Sequence, residues 1–249
     1  MNPITPETSE WVTRKRLIDP RVKAAGWRIV AFDPGKPLSS YDRCAIEEFP
    51  TDHGPADYAF CLDGRIVGIV EAKKLTRGPQ NTLTQAERYS KGCNPSPFNF
   101  DGFRVPFLYS TNGEIIWHRD VRNPLSRSRI VAEFHTPAAL AERLAFDFDA
   151  ACQQLIHTPN DHPRLRPYQR EANAAIESAI AARKRVMLVA MATGTGKTFT
   201  TVNQVYRLMK SGVARRILFL VDRRALAAQA VLAFASFEPE PSLKFDKIY

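Results

Sequence analysis

One stretch of eight residues, Met191–Thr198 (MATGTGKT), constrains the fold more tightly than any other part of the sequence. It lies between an apolar run, Val186–Met191, and a segment with apolar residues at helical spacing, Lys197–Met209. Glycines permit a tight path in which several backbone N–H groups point inward at a phosphate. The order strand, glycine loop, helix therefore predicts an α/β domain built on a parallel sheet.

The side chains of this loop predict an ATP site. Lys197 would supply a charge for the outer phosphates, and Thr198 a hydroxyl for Mg²⁺. The backbone cradle would come from four residues: Thr193, Gly194, Thr195 and Gly196. The general pattern G-x-x-x-x-G-K-[ST] has glycine where this chain has Met191, and an ordinary glycine-rich turn is the alternative interpretation.

The rest of the second region predicts alternating elements. They are a helix at 167–183, a strand at 186–191, a helix from Lys197, a strand at 217–221 and a helix at 224–237. Upstream, the polar, proline-rich stretch HTPNDHPRLRP predicts a linker. We therefore expect a first domain at 1–156, a linker at 157–166 and a second domain at 167–249.

The first region contains a β-hairpin signal. ADYAFCL (Ala56–Leu62) and RIVGIVEA (Arg65–Ala72) flank Asp63-Gly64, a common two-residue turn. Helical spacing predicts helices at 7–25 and 82–90, and two further strands are expected at 105–110 and 115–118.

Asp57, Glu71 and Lys73 are candidates for a catalytic site on this hairpin. Phosphodiester cleavage needs charge neutralised on the phosphate and an activated water, and a divalent metal held by carboxylates supplies both. Asp57 and Glu71 are the expected metal ligands, with Lys73 on the same strand face as Glu71. A structural role for all three is the alternative, but charged groups in the apolar frame IVGIVEAKK are costly to bury without a task.

The hairpin geometry makes this site testable. A regular hairpin with a two-residue turn would place Asp57 opposite Val70 and point Glu71 to the other face. A shared site requires Asp57 opposite Glu71, so the sequence predicts either a three-residue loop or a β-bulge between them.

Around the phosphate loop, three motifs resemble superfamily 2 helicases and translocases. ATGTGKT resembles their motif I, and LRPYQ resembles the motif that binds adenine, which implies that role for Gln169 and its neighbour Arg166. FLVDRRALAAQA resembles the segment that touches the DNA backbone, which implies contacts from Arg223 and Arg224.

In the first region, PAD (Pro55–Asp57) and EAK (Glu71–Lys73) resemble the PD-(D/E)xK nuclease superfamily. QAERY matches the Q-x-x-x-Y element of RecB-like members, which implies catalytic roles for Gln85 and Tyr89. SEWVTRKRLI resembles the opening helix of that domain, which implies Glu10 as a further carboxylate, with Glu7 as the alternative.

A nuclease of this kind followed by a superfamily 2 motor resembles the restriction subunits (HsdR) of type I restriction–modification enzymes. The resemblance implies an ATP-dependent endonuclease that cuts double-stranded DNA away from its recognition site, with methyltransferase (M) and specificity (S) subunits as partners. Two alternatives stay open. The chain could be a nuclease–translocase of DNA repair, or a non-catalytic DNA-binding or assembly module.

Composition supports a DNA partner in the cytoplasm. The 35 Lys and Arg against 26 Asp and Glu give a net charge of +9, which favours a polyanion. The four cysteines form no C-x-x-C pair, and no apolar run is long enough to span a membrane. After Thr198 no D-E-x-[HD] motif follows, so we expect weak nucleotide binding and no ATP hydrolysis from this chain.

Overall fold

The computed structural model describes residues 10–73 and 83–249. The chain divides into two compact units, the first ending at Ala145 and the second beginning at Phe146. The helix at Phe148–His157, which the sequence analysis placed in the first domain, packs in the second unit against the helix at Pro167–Ala181.

The first unit is built on one seven-stranded mixed sheet with strands in sequential order. Neighbouring strands pair antiparallel except for β1–β2 and β4–β5, which are parallel. The strands are β1 Arg28–Ala31, β2 Cys44–Phe49, β3 Ala56–Leu62, β4 Arg65–Ala72, β5 Phe107–Thr111, β6 Ile116–Asp120 and β7 Arg129–Val131.

Helices cover both faces of this sheet. They are α1 Glu10–Thr13, a π-helical turn Arg14–Ile18, α2 Asp19–Ala24, α3 Leu83–Lys91 and α4 Pro137–Ala145, with a 3₁₀ turn at Leu38–Ser40. Helix α2 ends at Ala24, and Gly26 follows two residues later with a φ of +89°, the left-handed conformation that glycine adopts just after helix ends.

Alternation along the strands gives the sheet two apolar faces. On the first, which we call the N-terminal-helix face, Tyr58, Phe60 and Val70 pack with Ile18 and Trp27. On the second, the α3 face, the buried residues of the same strands pack against α3. They are Ala59, Cys61, Ile66 and Ile69, and their α3 partners are Leu83, Ala86 and Tyr89.

Two histidines lie near the N-terminal-helix face. His118 on β6 is buried and stacks on Tyr109 with ring centroids 4.7 Å apart. Burial and the neighbouring His135 lower the pKa of His118 to about 3. Burial, followed by the nearby Arg143 and Arg129, lowers the pKa of His135 to about 4. Both side chains are therefore neutral in the folded protein near pH 7.

The second unit is helical around a small aromatic cluster. Its helices are α5 Phe148–His157, α6 Pro167–Ala181, α7 Lys197–Lys210 and α8 Arg224–Ala235, with a 3₁₀ turn at Phe245–Lys247. Val202, Tyr206 and Phe237 form the buried cluster. A buried ion pair joins Arg207 Nε on α7 to Glu177 Oε1 on α6 at 2.7 Å.

The fold class, α/β, agrees with the sequence, but the parallel sheet expected in the second unit is not formed. Within residues 146–249 the structure assigns no strand, and 186–191 and 217–221 carry no ladder hydrogen bonds. Leu188 is 94% exposed and Leu218 81% exposed. An apolar run shows that a segment suits burial. A strand forms only where a neighbouring strand makes hydrogen bonds to its backbone N–H and C=O groups.

No helix in the described part of the chain is long and apolar enough to cross a membrane.

Candidate nuclease and nucleotide sites

The register of the β3–β4 hairpin confirms the predicted β-bulge. At the turn, Leu62 pairs with Arg65 across Asp63-Gly64. The register shifts by one between Phe60 and Cys61, so that Tyr58 pairs with Val70. Continuing this register by one residue places Asp57 opposite Glu71. In that register the two side chains leave the sheet on the same face, because strand neighbours alternate.

Two donors hold the Asp57 carboxylate. Its Oδ2 accepts a hydrogen bond from the backbone N–H of Ala72 at 2.7 Å. Its Oδ1 accepts from Arg14 Nη1 at 3.0 Å, and its main-chain carbonyl accepts from Arg14 Nη2 at 3.2 Å. The Asp57 side chain is only 16% exposed, so solvent screens these contacts weakly.

Arg14, which the sequence analysis did not single out, lies at the centre of a charged network. Its guanidinium also donates to Glu48, lies 3.5 Å from Glu47 Oε1 and donates from Nε to the Tyr58 hydroxyl at 3.4 Å. Burial acts to lower the pKa of Arg14, but the bonds to Glu48 and Tyr58 and the charge of Asp57 outweigh it and raise the pKa. The side chain is thus a permanent cation beside Asp57.

Glu71 and Lys73 form an ion pair at the end of β4. Lys73 Nζ donates to Glu71 Oε1, and the two side chains are 14% and 3% exposed. The backbone N–H of Lys73 donates to the carbonyl of Thr111 on β5 at 2.8 Å, and this bond holds the end of β4 against β5. Glu71 and Lys73 therefore lie together at the end of β4, on either side of Ala72, whose amide binds Asp57 of β3.

The remaining predicted nuclease residues lie on helices. On α3, which packs against β4 and β5, Gln85 Nε2 donates to the Tyr89 hydroxyl at 2.7 Å. This bond locks the two side chains of the Q-x-x-x-Y element to each other. Glu10 is the first residue of α1, and Glu7 lies outside the described residues.

The donor set at Asp57 and Glu71 fits a magnesium ion. Mg²⁺ takes hard oxygen ligands and is commonly held by one or two carboxylates, with waters and substrate phosphates completing the shell. Two opposed carboxylates supply that protein share. Within residues 10–73 and 83–249, no group of three or more His, Cys, Asp or Glu side chains could hold a metal. An ion held by these two carboxylates would take waters and phosphate oxygens as its other ligands.

In the second unit, the glycine loop precedes α7 as the sequence predicted. Gly194 and Gly196 adopt φ values of +80° and +83°, and Gly196 is the residue before the helix. Lys197 Nζ donates to the carbonyls of Met191 and Ala192 at 3.2 and 3.1 Å. These bonds to carbonyls hold the ammonium over the loop, where the phosphates of the nucleotide are expected to bind.

Gln169 is part of the same loop structure. Its Nε2 donates to the carbonyl of Thr195 at 3.0 Å, and its Oε1 accepts from the backbone N–H of Arg166 at 2.9 Å. Tyr168, which the sequence analysis did not single out, donates to the carbonyl of Thr195 at 2.9 Å and accepts from Arg166 Nη1 at 3.1 Å. The LRPYQ motif and the glycine loop are therefore joined directly.

The other predicted residues of this unit are exposed. Thr193 and Thr198 lie on the surface of the loop and of α7, and Arg223 and Arg224 lie at the start of α8. Arg223 pairs with Asp222 at 3.7 Å, with both side chains more than three-quarters exposed. The adenine, phosphate and DNA roles of these residues stay predictions.

Two family models match the chain. Residues 31–144 match the second domain of the type I restriction enzyme EcoKI endonuclease subunit, and residues 162–249 match the res subunit of type III restriction enzymes. The matched ranges fall in the first and second units respectively.

Similar proteins come from Escherichia coli. The EcoKI endonuclease subunit of strain K12 is 33% identical over 268 residues, which cover 88% of this chain and 23% of that subunit. The EcoAI endonuclease subunit is 36% identical over 136 residues, covering 50% of this chain and 17% of the subunit. The chain therefore spans less than a quarter of the length of these relatives.

One solved structure also matches. It is a fragment described as an HsdR subunit of a type I restriction enzyme from Vibrio vulnificus YJ016. The two chains share 24% identity with a TM-score of 0.40, over 84% of this chain and 39% of that one.

The two family models and the two units define a class, the restriction-enzyme subunits that join an α/β domain to a helicase-like domain. Within this class, the chain belongs to the family of type I restriction-enzyme R subunits, HsdR.

Proposed function

We propose that the first unit is a Mg²⁺-dependent DNA endonuclease module and the second the ATP-binding portion of a DNA translocase. The observation that carries the proposal is the one-residue register shift in the hairpin, which, continued past the Tyr58–Val70 pair, brings Asp57 opposite Glu71. Lys73 is bonded to Glu71 at the same strand end. The relatives are named endonuclease subunits, which supports the same activity here. In this proposal the R subunit acts with M and S subunits and cuts double-stranded DNA away from the recognition site.

The chain's residues would divide the work of cleavage. When bound, Mg²⁺ would neutralise charge on the scissile phosphate and supply an activated water. Asp57 and Glu71 would hold the ion between β3 and β4. In the structure Asp57 is bonded to the amide of Ala72, and Glu71 is bonded to Lys73. Lys73 places an ammonium beside Glu71, where it can orient the attacking water or stabilise charge on the phosphate.

The second unit would bind the triphosphate of ATP. The bonds of Lys197 to two loop carbonyls would be exchanged for bonds to phosphate oxygens. Gln169 would bind adenine while still holding the carbonyl of Thr195. Thr198 would offer its hydroxyl to a second Mg²⁺, and the start of α8 would bring Arg223 and Arg224 to the DNA backbone.

Nicking of supercoiled plasmid with Mg²⁺ tests the nuclease proposal, with the chain alone and with added M and S subunits. Asp57→Asn and Lys73→Ala should each cut at least about 10²-fold more slowly, the usual cost of losing one group that stabilises developing charge. Asp63→Asn is the matched control, because Asp63 is exposed at the hairpin turn and pairs with Arg65. Equal cutting by the wild type and Lys73→Ala with M and S present would reject the site.

A titration with a fluorescent ATP analogue tests the second unit. Lys197→Ala should lose most of the affinity, whereas Lys210→Ala, on the same helix but paired with Glu240, should not. We expect no steady-state DNA-stimulated ATPase activity from this chain. Measurable turnover would contradict that expectation, and equal binding by both variants would reject the nucleotide site.

A further inference from the structure

The Asp57 carboxylate is held from two directions by groups to which the sequence motifs assign no role. Ala72 N–H holds Oδ2 from β4, and Arg14 holds Oδ1 and the main-chain carbonyl from the π-helical turn. One guanidinium thereby binds both the side chain and the backbone of a single residue. A carboxylate fixed at both oxygens has one orientation, and its remaining lone pairs point in set directions.

Arg14 is itself immobilised. Its side chain is 9% exposed, its guanidinium carbon lies 4.8 Å from the centre of the Tyr58 ring, and it is bonded to Glu48 and Tyr58 as well as Asp57. A planar guanidinium with five donors in a rigid fork suits such a set of acceptors, and an ammonium does not.

We propose that Arg14 is the positioning residue of the nuclease site, which sets the orientation in which Asp57 meets a divalent cation. The inference rests on the proposed function of Asp57 and Glu71 as metal ligands. Outer partners of metal ligands fix ligand geometry in this way, and their loss typically weakens metal binding 10- to 100-fold. Arg14 touches neither the ion nor the reacting phosphate in this arrangement; it acts through Asp57.

Charge and geometry have opposite effects here and must be separated. A cation beside Asp57 repels a second cation, so a neutral substitution would change the electrostatics together with the geometry. Arg14→Lys keeps the charge but replaces the two guanidinium nitrogens that contact Oδ1 and the carbonyl with a single nitrogen. Arg21→Lys is the matched control. Arg21 lies on α2 and holds the carbonyls of Gly113 and Glu114, at 2.9 Å each, in the turn after β5 rather than in the β3–β4 hairpin.

The first measurement is Mn²⁺ binding to the chain, followed by the electron paramagnetic resonance signal of the free ion. Arg14→Lys should raise the dissociation constant about tenfold or more, and Arg21→Lys should leave it unchanged. Asp57→Asn should abolish this binding in the wild-type background. Absence of Asp57-dependent binding in the wild type would overturn the proposed function and this inference together. Wild-type binding that Arg14→Lys leaves unchanged would overturn the inference alone.

The second measurement needs no metal. The amide of Ala72 donates to Asp57, so its hydrogen-exchange protection reports whether the carboxylate is held in place. Arg14→Lys should lower that protection up to about tenfold, the equilibrium effect of one hydrogen bond, while the amide of Ile69 on the same strand keeps its value. Equal loss at both amides would mean general loosening of the hairpin and would overturn the inference.

A folding defect in Arg14→Lys would be recognised by circular dichroism. In that event Arg14→Gln replaces it in the exchange experiment, because glutamine is nearly as long and retains two N–H donors. Protection at Ala72 lost in Arg14→Gln but kept in Arg21→Gln supports the positioning role. Protection kept in both variants rejects it.

Discussion

Gln169 fills the space that a side chain at position 196 would need. A Cβ on Gly196 would lie 2.5 Å from Gln169 Nε2, and the φ of +83° is unfavourable for any other residue. Gly196→Ala should therefore displace Gln169 from the loop carbonyls and weaken binding of a fluorescent ATP analogue about tenfold, the effect of a lost hydrogen bond. Gly212→Ala separates the contact with Gln169 from the strain of a positive φ. Gly212 has a φ of +77° but open space around it. Equal weakening in both variants would contradict this account.

His118 and His135 should make the stability of the first unit depend on pH. Their pKa values are lowered in the folded state, so the unfolded chain binds protons first, near pH 6.5. Their contribution is complete above about pH 6.5 and is lost as the pH falls toward about 4, by about 1.4 kcal/mol per pH unit for each histidine.

Urea unfolding at pH 7 and pH 5 measures this dependence. All three tryptophans, Trp11, Trp27 and Trp117, lie in the first unit, so their fluorescence reports that unit alone. His118→Phe keeps the ring packing and removes one titrating group, so it should lose less stability on acidification than the wild type. An unchanged loss would show that His118 does not titrate as described.

At this scale the sequence predicted the residues whose types carry chemistry at recognisable spacing. Asp57, Glu71 and Lys73 share a hairpin, and the requirement for a common face was enough to predict the bulge. Arg14 was not predictable in the same way. It is 43 residues from Asp57 in a basic run, RKR, and such runs are usually solvated.

The bulge in β4 takes up the one residue by which β4 exceeds β3 between the turn and the two carboxylates. The extra residue in β4, Val67, separates Ile66, which pairs with Cys61, from Gly68, which pairs with Phe60. Deleting Val67 should leave a regular hairpin with Asp57 still opposite Glu71. The variant should lose about 1.5–3 kcal/mol of stability, the burial of one valine, yet still bind Mn²⁺.

An insertion in the same strand is the contrasting change. One alanine added between Ile69 and Val70 would place Asp57 opposite Val70 and turn Glu71 toward the N-terminal-helix face. Mn²⁺ binding and nicking should then be lost. If the deletion abolished Mn²⁺ binding and the insertion spared it, the register described here would be wrong.

Elements with a clear periodic signal were predicted well, and those dependent on partners were not. The helices α3, α6, α7 and α8 and the β3–β4 hairpin lie within two residues of expectation. The strands β1 and β2 were missed, because β1 has only four residues and Glu47 and Glu48 interrupt the apolar pattern of β2. The apolar run at 186–191 was predicted as a strand but is not one, because no strand among the described residues pairs with it.

For the whole molecule, the net charge of +9 predicts salt-dependent DNA binding. If only two phosphates are neutralised, affinity should fall about tenfold between 50 and 200 mM NaCl, and further with more contacts. Fluorescence anisotropy with a labelled duplex at several salt concentrations measures the slope. A flat response would remove the electrostatic argument for DNA binding.

Ala72 separates the two charged members of the Glu-x-Lys motif and is interchangeable in the pattern, yet it is completely buried and its amide holds Asp57. Its methyl group lies in the same apolar cluster as Trp27 and Phe60. Ala72 thus links the apolar cluster to Asp57, the proposed metal ligand. A larger side chain at position 72 should shift the end of β4 and the orientation of the Asp57 carboxylate while leaving every charge in place. Position 72, the variable position of the motif, is therefore a place to begin mutagenesis for altered cleavage.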